Sequence, residues 1–323
     1  MKFLLFGPQS RLGVLQDENS ILDLQRAEEA LGKSPGKNEA SIFGSLLSLI
    51  EAGERGLDAV RDLLERSSKS DQPGLRVELS KTQLQAPFPG QRFALAGVNY
   101  AAHVADASTN WGRPVTEAEV LAKARKEGLG GGFWAVSRPV GPGVKIELPS
   151  RANGLFDYEG EVAVVLGKGG KKIRGDDWRD HVWGTTLVVD WSARIEAMSS
   201  RMPFYFNKNF DGSKSIGPWI TVGEADPTNC DIETRVNGEL RQQFNSRDMM
   251  HTFGEVLEQL SLDLTLYAGD VLSGGTGAGT ATDRTGPGEN GYRPRDWFLK
   301  AGDRVEVGSP QLGKLDAQIV EGS

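Results

Sequence analysis

The stretch DYEGEVAVVL, residues 157–166, sets two carboxylates directly before an apolar run. Side chains alternate along a β-strand, so Glu159 and Glu161 are expected on the same face as Ala163 and Val165. Two like charges beside a core repel each other and lose hydration, which a cation relieves, and oxygen ligands suit magnesium, manganese or calcium. The alternative is a solvent-facing strand with two ordinary glutamates, and this segment by itself does not decide between the two interpretations.

A second apolar run, TTLVV at residues 185–189, ends in Asp190. An aspartate that terminates a buried strand is a natural third oxygen ligand, whereas the alternative is a cap for the turn that follows. Lys208 lies in a region rich in glycine and proline, where it either offsets a substrate oxyanion or is a solvated surface lysine. Spacing alone leaves both residues with two interpretations.

Of three histidines, His103 has the most informative neighbour, because Asp106 follows three residues later. On a helical turn this spacing puts both side chains on one side, where the carboxylate could orient the imidazole as a general base for water. The alternative is a surface histidine beside an aspartate. His251, which we expect inside an amphipathic helix, and His181, which precedes a strand, are interpreted as structural.

Composition limits the classes of partner. The 323-residue chain has a net charge of -7, which argues against nucleic acid and leaves small molecules as partners. The start MKFLLFGPQS is too short for a secretion signal, and no later segment reaches membrane-spanning length, so we expect a soluble, cytoplasmic protein that does not bind a membrane. Cys230 is the only cysteine, which excludes a disulfide and a cysteine-based zinc cage and favours a small core residue.

The first 90 residues are expected to form a small α/β N-terminal domain. Short strand-like runs at 3–5, 13–15 and 21–22 precede a helix that begins near Leu24, and apolar spacing then predicts a pair of helices. A polar stretch with Pro73-Gly74 is a credible linker. We place the boundary near residue 90, with a catalytic domain at 91–323.

From Phe93 onward, short β-type runs are separated by glycine and proline, and one clear long helix carries Met249, Phe253 and Val256 on one face. Strands do not alternate with long helices, so a doubly wound sheet is disfavoured and the fold class is α+β, mainly β. The charged segment 116–127 and the glycines after it form a helix-loop insert, either a lid or a plain surface loop.

The glycine-rich stretch 274–279 does not form a nucleotide loop, since it lacks the Lys-Ser/Thr ending of a Walker loop and no later ribose-binding acid follows. We expect it to bring backbone amides and the Thr276 hydroxyl close to a ligand.

The order of the motifs resembles the fumarylacetoacetate hydrolase family over roughly residues 92–323. Each motif is weak alone, but seven in the same order make chance an unlikely explanation. The seven are NYAAHVADAS, FDYEGEVAVVLGK, WGTTLVVDWSAR, NKNFDGSKSIGPWI, VNGELRQQFNSRDMM, LTLYAGDVLSGGTGAG and FLKAGDRVEV.

The resemblance implies a mixed β-roll catalytic domain, usually homodimeric, in an enzyme of aromatic-compound catabolism. It matches Glu159, Glu161 and Asp190 to the three ligands of magnesium or manganese. It matches Lys208 to the lysine of the K-x-F-D motif, Thr276 to a pocket threonine and His103, with Asp106 beside it, to the catalytic histidine. The matched motifs also contain Tyr100, Arg194 and Gly275, which we expect to contact the substrate together with Thr276.

Three departures separate this chain from the family pattern. Asp106 stands where many members carry glutamate, the usual Phe-x-Lys-Pro stretch lacks its lysine, and the Thr-Gly-Thr-Pro motif keeps only its second threonine at Thr276. These departures predict a pocket for an unusual substrate and leave the reach of Asp106 open.

The resulting hypothesis is carbon-carbon hydrolysis of a 1,3-dioxo acid, an acylpyruvate or fumarylacetoacetate-like compound, through an enolate stabilised by the metal. The alternatives are an oxo-acid decarboxylase or a hydroxy-dienoate isomerase with the same metal site, and a non-catalytic binding protein on an enzyme fold. The substrate's tail is not readable from the sequence, because variable loops and the 107–140 insert would contact it.

Overall fold

The computed structural model describes residues 1–32, 41–194, 204–288 and 292–322. These residues form eighteen β-strands and eight α-helices. The strands are β1 Lys2–Phe6, β2 Arg11–Leu15, β3 Ser20–Asp23, β4 Arg76–Glu78, β5 Leu84–Gln85, β6 Phe93–Ala96, β7 Gly132–Ala135, β8 Val144–Glu147, β9 Phe156–Asp157, β10 Gly160–Leu166, β11 Val182–Asp190, β12 Ser192–Ala193, β13 Lys214–Thr221, β14 Asp231–Val236, β15 Glu239–Asn245, β16 Val271–Thr276, β17 Arg304–Ser309 and β18 Gly313–Val320. The helices are α1 Leu24–Leu31, α2 Leu46–Glu51, α3 Gly53–Ser68, α4 Ala101–Asn110, α5 Glu117–Glu127, α6 Phe204–Lys208, α7 Phe253–Ser261 and α8 Ala281–Arg284.

Two mixed sheets dominate this α+β fold, as the sequence predicts. The larger has eleven strands in the order β4-β3-β2-β1-β13-β11-β10-β16-β6-β7, with β5 paired to β1. The smaller has five strands in the order β15-β14-β17-β18-β8. Pairing is antiparallel except between β16 and β6 and between β18 and β8. Over the described residues neither sheet closes into a barrel.

The central strands β10 and β11 are apolar runs whose residues are buried almost throughout, which is typical of strands covered on both faces. A main core includes Leu187, Val189 and Val307. Gly160 allows the smaller sheet to approach the start of β10, because a Cβ at this position would collide with Thr234 Oγ1 and lie 3.1 Å from Val307. The glycine between the two glutamates therefore fixes where the sheets meet.

The N-terminal unit shares the large sheet. Strand β1 pairs with β13 in the register Phe3↔Ile220, and one core contains Phe3 and Leu57 together with Val188. Its predicted strands and helices are confirmed as β1, β2, β3, α1, α2 and α3. A domain boundary near residue 90 stays a prediction.

Helix α7 confirms the predicted amphipathic helix, and its buried face carries Phe253, Val256 and Leu257. The helix begins after Thr252, whose hydroxyl accepts a hydrogen bond from the amide of Glu255. Because this cap precedes the first helical residue, residues before Thr252 are not part of the helix. The interpretation of Met249 and His251 as helical was therefore wrong. His181 does precede a strand, β11.

The charged segment forms helix α5, which begins after the capping residue Thr116, so its helical part is confirmed. Its role as a lid stays a prediction. Cys230 is buried. Among the helices of the described residues, none is both long and apolar enough to span a membrane.

Candidate active site

Three buried carboxylates meet where β10 begins and β11 ends. Glu159 precedes β10, Glu161 lies within it and Asp190 is the last residue of β11, and their exposed fractions are 5%, 2% and 1%. One oxygen from each lies within 4.8 Å of the others. The antiparallel pairing of the two strands creates this cluster, which we call the carboxylate triad, and the predicted convergence is confirmed.

Lys208, at the end of α6, contacts two members of the triad. Its Nζ donates hydrogen bonds to Glu159, to Asp190 Oδ2 at 2.8 Å and to Ser192 Oγ at 2.6 Å. Burial opposes its charge, but Asp190 and Glu159 outweigh burial and raise the pKa of Lys208. Lys208 is therefore buried against the carboxylates rather than solvated at the surface, and its role toward substrate stays a prediction.

A second buried lysine, Lys214, was not identified from the sequence. It lies on β13 opposite Asp190 on β11, with Nζ 2.9 Å from Asp190 Oδ1. Burial lowers its pKa, and the contact with Asp190 opposes that fall. The sequence signal for Lys214 was its position next to the apolar residues of a central strand, because a lysine is almost never fully buried without a partner.

Arg194 ties Glu159 to a fourth buried carboxylate, Asp157. Its Nε donates to Asp157 Oδ2 at 2.8 Å, and its Nη2 donates to Glu159 Oε1. Asp157 also accepts the amides of Ala281 at 2.8 Å and Thr282 at 3.0 Å, so it holds the start of α8 as well. Sequence reasoning assigned Asp157 no role. Contact of Arg194 with substrate stays a prediction.

The charges around the triad are nearly balanced. When all are ionised, the four carboxylates at 157, 159, 161 and 190 face three cations at 194, 208 and 214, which leaves one net negative charge. Burial, followed by the charges of Asp190 and Glu159, raises the pKa of Glu161 well above its usual range. Burial also disfavours ionised Glu159, but Lys208 and Arg194 outweigh it and lower that pKa.

Glu161 has a further partner, because Ser273 on β16 donates its hydroxyl to Oε2. Three hard oxygen donors, a net negative charge and a carboxylate that is costly to ionise together fit a divalent cation. Glu159, Glu161 and Asp190 would hold this ion.

His103 forms an ion pair with Asp283 rather than with Asp106. On α4, its Nδ1 lies 2.8 Å from Asp283 Oδ1 on α8. The second oxygen of Asp283 accepts the amides of Gly279 at 2.8 Å and Thr280 at 3.0 Å. Asp106 lies on the exposed side of α4. The acidic partner of His103 is therefore Asp283, and not Asp106 as the sequence suggested. A catalytic role for Asp106 stays a prediction.

The pKa of His103 is raised. Burial lowers it, but the charge of Asp283 outweighs burial, and Glu159 raises it further. The imidazole is therefore within electrostatic range of the triad. The sequence signal for Asp283 was the capping box formed by Thr280 and Asp283 after the glycine-rich stretch.

The remaining predicted residues line the same region. The Thr276 hydroxyl donates to Gly160 O at 2.9 Å and accepts from Gln242 Nε2 at 2.8 Å, and Thr276 pairs with Glu161 across the sheet. Gly275 has φ +85°, and a Cβ there would lie 2.9 Å from the Ala96 carbonyl oxygen, so the chain needs glycine at this point.

Tyr100 is buried directly before α4, and its ring packs edge-on against Phe244 at 5.1 Å. Burial, then the charge of Glu161, raise its pKa well above the usual range. Among the described residues its hydroxyl has no hydrogen-bond partner. Substrate contacts of Tyr100, Gly275 and Thr276 stay predictions.

The fold and the site define a class: sheet-dominated α+β enzymes with a buried carboxylate centre. A family model for the C-terminal domain of fumarylacetoacetate (FAA) hydrolase matches residues 92–320, and the chain belongs to this family. The resemblance seen in the motifs is confirmed.

Two relatives with similar sequences are described as oxaloacetate tautomerases. The chain is 32% identical to oxaloacetate tautomerase YisK of Bacillus subtilis over 314 residues, which cover 95% of each protein. It is 28% identical to a mitochondrial oxaloacetate tautomerase of Xenopus laevis, with 97% of this chain and 87% of the relative covered.

Solved structures extend the comparison to other reactions. Maleylpyruvate hydrolase from Sphingobium sp. SYK-6, in complex with manganese(II) and pyruvate, is 25% identical over all of both chains, with a TM-score of 0.71. A probable 2-hydroxyhepta-2,4-diene-1,7-dioate isomerase from Mycobacterium abscessus is 26% identical over all of both chains, also with a TM-score of 0.71. The protein is an enzyme of this family.

Proposed function

We propose that the protein is a divalent-metal-dependent enzyme that interconverts the keto and enol forms of oxaloacetate or a closely similar 2-oxo dicarboxylic acid. The observation that carries the proposal is the carboxylate triad beside the His103–Asp283 pair, a cation site next to an acid–base group. The similarity to oxaloacetate tautomerases over nearly the whole chain supports this choice of reaction.

Magnesium or manganese is the proposed ion, because both prefer oxygen donors such as Glu159, Glu161 and Asp190. A divalent cation supplies a Lewis acid that binds the oxygens of a 2-oxo acid and stabilises the negative charge of an enolate. Lys208 holds a positive charge at two of the ligands and is suited to substrate oxygens on the same side.

Tautomerisation requires a proton to leave carbon 3 and a proton to be returned to the oxygen of carbon 2. We assign both transfers to Nε2 of His103, because Nδ1 is held by Asp283. The C3–H bond breaks as the Nε2–H bond forms, and the electron pair moves onto the oxygen, which then takes the proton. Asp283 stabilises the imidazolium between the two transfers, and its fixed carboxylate sets the tautomer of the neutral ring.

The test follows the decay of enol-oxaloacetate absorbance with purified protein, with Mg²⁺ or Mn²⁺ and with EDTA. The proposal predicts ion-dependent acceleration that Glu161→Gln abolishes. Glu65→Gln, on the exposed side of α3, is the matched control and should match the wild type. Undiminished acceleration by Glu161→Gln, or acceleration that survives EDTA, contradicts the metal assignment.

A second candidate is hydrolysis of a carbon-carbon bond in an acylpyruvate-like 1,3-dioxo acid. The His103–Asp283 pair favours it, since a histidine oriented by a carboxylate is suited to take a proton from an attacking water. The similarity to a maleylpyruvate hydrolase also supports it. Release of one pyruvate and one carboxylic acid from each acylpyruvate, with one water consumed, would establish hydrolysis.

Product analysis with the same purified protein separates the remaining alternatives. Carbon dioxide release from oxaloacetate that persists in His103→Ala would favour decarboxylation, because that reaction needs no base for water. Conversion of a hydroxy-dienoate without cleavage would favour isomerisation.

A further inference from the structure

We propose that Lys214 is a built-in counter-ion of the carboxylate triad, which stabilises the metal-free site and limits its affinity for divalent cations. This inference rests on the metal binding in the proposed function, and it assigns a role to a residue outside the ligand set. Among the described residues, Lys214 forms an ion pair with Asp190 but with neither of the two glutamates.

The position of Lys214 is fixed by the fold. It faces Asp190 across the β11–β13 pair, and its side chain is 0% exposed. Its Nζ forms an ion pair with Asp190 Oδ1 at 2.9 Å and donates hydrogen bonds to the carbonyl oxygens of Ser213 at 3.0 Å and of Lys208. Two backbone acceptors and one opposite charge therefore hold the buried ammonium group beside the triad.

The two lysines on Asp190 differ in what else they contact. Lys208 also donates to Glu159 and to Ser192. Lys214 approaches the other oxygen of Asp190, and its further contacts are two backbone carbonyl oxygens rather than a second carboxylate. A change at Lys214 therefore alters the charge at the triad without removing the lysine assigned to substrate.

A fixed positive charge beside a metal ligand has two effects of opposite sign. Without an ion, it offsets the repulsion among three buried carboxylates, and the site remains folded. With an ion held by Asp190, the buried positive charge of Lys214 would repel the divalent charge, since burial leaves little water to screen the two. Removal of the charge should destabilise the metal-free protein and tighten the binding of a cation.

The experiment measures Mn²⁺ binding by isothermal titration calorimetry and the melting temperature with and without Mn²⁺. Lys214→Met and Lys214→Gln both remove the charge, and Gln keeps a donor for the carbonyl oxygens if Met does not fold. Lys145→Met, at an exposed lysine on β8, makes the same change in net charge away from the site.

We expect the neutral variants to bind Mn²⁺ at least about ten-fold more tightly than the wild type. Their melting temperature should fall without Mn²⁺, and the rise on Mn²⁺ addition should exceed that of the wild type and of Lys145→Met. Affinity that is unchanged or weaker in the neutral variants overturns the inference while leaving the proposed function intact. A wild type that binds no Mn²⁺ overturns both.

Discussion

Nδ1 of His103 lies 2.8 Å from Oδ1 of Asp283, although 179 residues separate them in the chain. Helices α4 and α8 pack together to form this contact. Because the amides of Gly279 and Thr280 hold the other oxygen of Asp283, the carboxylate is set before a substrate arrives. The fold therefore positions this pair, as the acid–base role proposed for His103 requires.

Asp283→Asn should lower turnover by between about 10²- and 10⁴-fold. The amide oxygen of Asn must accept the Gly279 and Thr280 amides, so its NH₂ group faces Nδ1 of His103. The ring then carries its proton on Nε2 and cannot accept another there. Steady-state kinetics and Mn²⁺ titration are the measurements, and the Mn²⁺ affinity should not change.

Asp106→Asn is the matched comparison for this prediction, because Asp106 is on α4 but exposed. We expect a loss of less than about ten-fold. Equal losses from the two variants would restore Asp106 as the partner of His103.

The pH profile should report the raised pKa of His103. A base must be neutral to act, so kcat/KM should rise with pH and reach its plateau above the ordinary histidine pKa of about 6.5. Asp283→Asn removes the charge that raises the pKa, and it should move the inflection to lower pH. An inflection that does not move would contradict the role of Asp283.

The contribution of His103 to the stability of the fold should fall as pH rises, whereas kcat/KM should increase. A folded pKa above the unfolded value means that protonation of His103 stabilises the fold at low pH, and this contribution is lost as pH rises through the folded pKa. The melting temperature of His103→Gln should therefore differ most from the wild type below about pH 6.5 and least at higher pH. A difference in melting temperature that grows with pH would contradict a raised pKa of His103 in the folded protein.

Arg194→Met should lower the free energy of unfolding by about 3–5 kcal/mol, because it removes the ion-pair partner of buried Asp157 and leaves Glu159 with Lys208 alone. Urea unfolding of the metal-free protein measures the change. Arg284→Met removes an exposed arginine from α8 and should cost far less. Similar losses in the two variants would mean that the Arg194 contacts are not energetically important.

Local patterns singled out the three carboxylates as candidates, and the family resemblance joined them into one predicted ligand set. Alternation placed Glu159 and Glu161, and the end of an apolar run placed Asp190. The same patterns identified helices α1, α2, α3, α5 and α7 and the sheet-rich α+β class, whereas the mixed sheet was expected from the family resemblance. Oligomeric state, cytoplasmic location and a pathway in aromatic catabolism stay predictions.

Contacts between distant segments were not predictable in this way. Asp283 meets His103 only because α8 packs on α4, and Lys214 meets Asp190 only in the register of β11 with β13. A sequence shows that Lys214 is beside apolar positions but not which carboxylate neutralises it. Helix spacing instead suggested Asp106, the nearest acid in the chain, although α4 turns that residue to solvent.

Gly160→Ala should disturb the metal site without changing any ligand. The new methyl group would collide with Thr234 Oγ1 and press on Val307, so the smaller sheet must move away from the start of β10. Overpacking of this kind costs about 1–3 kcal/mol, measurable by urea unfolding. Because Glu159 and Glu161 flank the glycine, Mn²⁺ affinity should fall as well.

Gly308→Ala is the control, since Gly308 lies on β17 of the facing sheet and a Cβ there meets no atom within 4 Å. It should leave both stability and Mn²⁺ affinity close to those of the wild type. If Gly160→Ala lowered stability but left Mn²⁺ affinity unchanged, the contact between the sheets would support the fold without setting the geometry of the triad. A loss of both, absent in Gly308→Ala, would tie the position of the ligands to the distance between the two sheets.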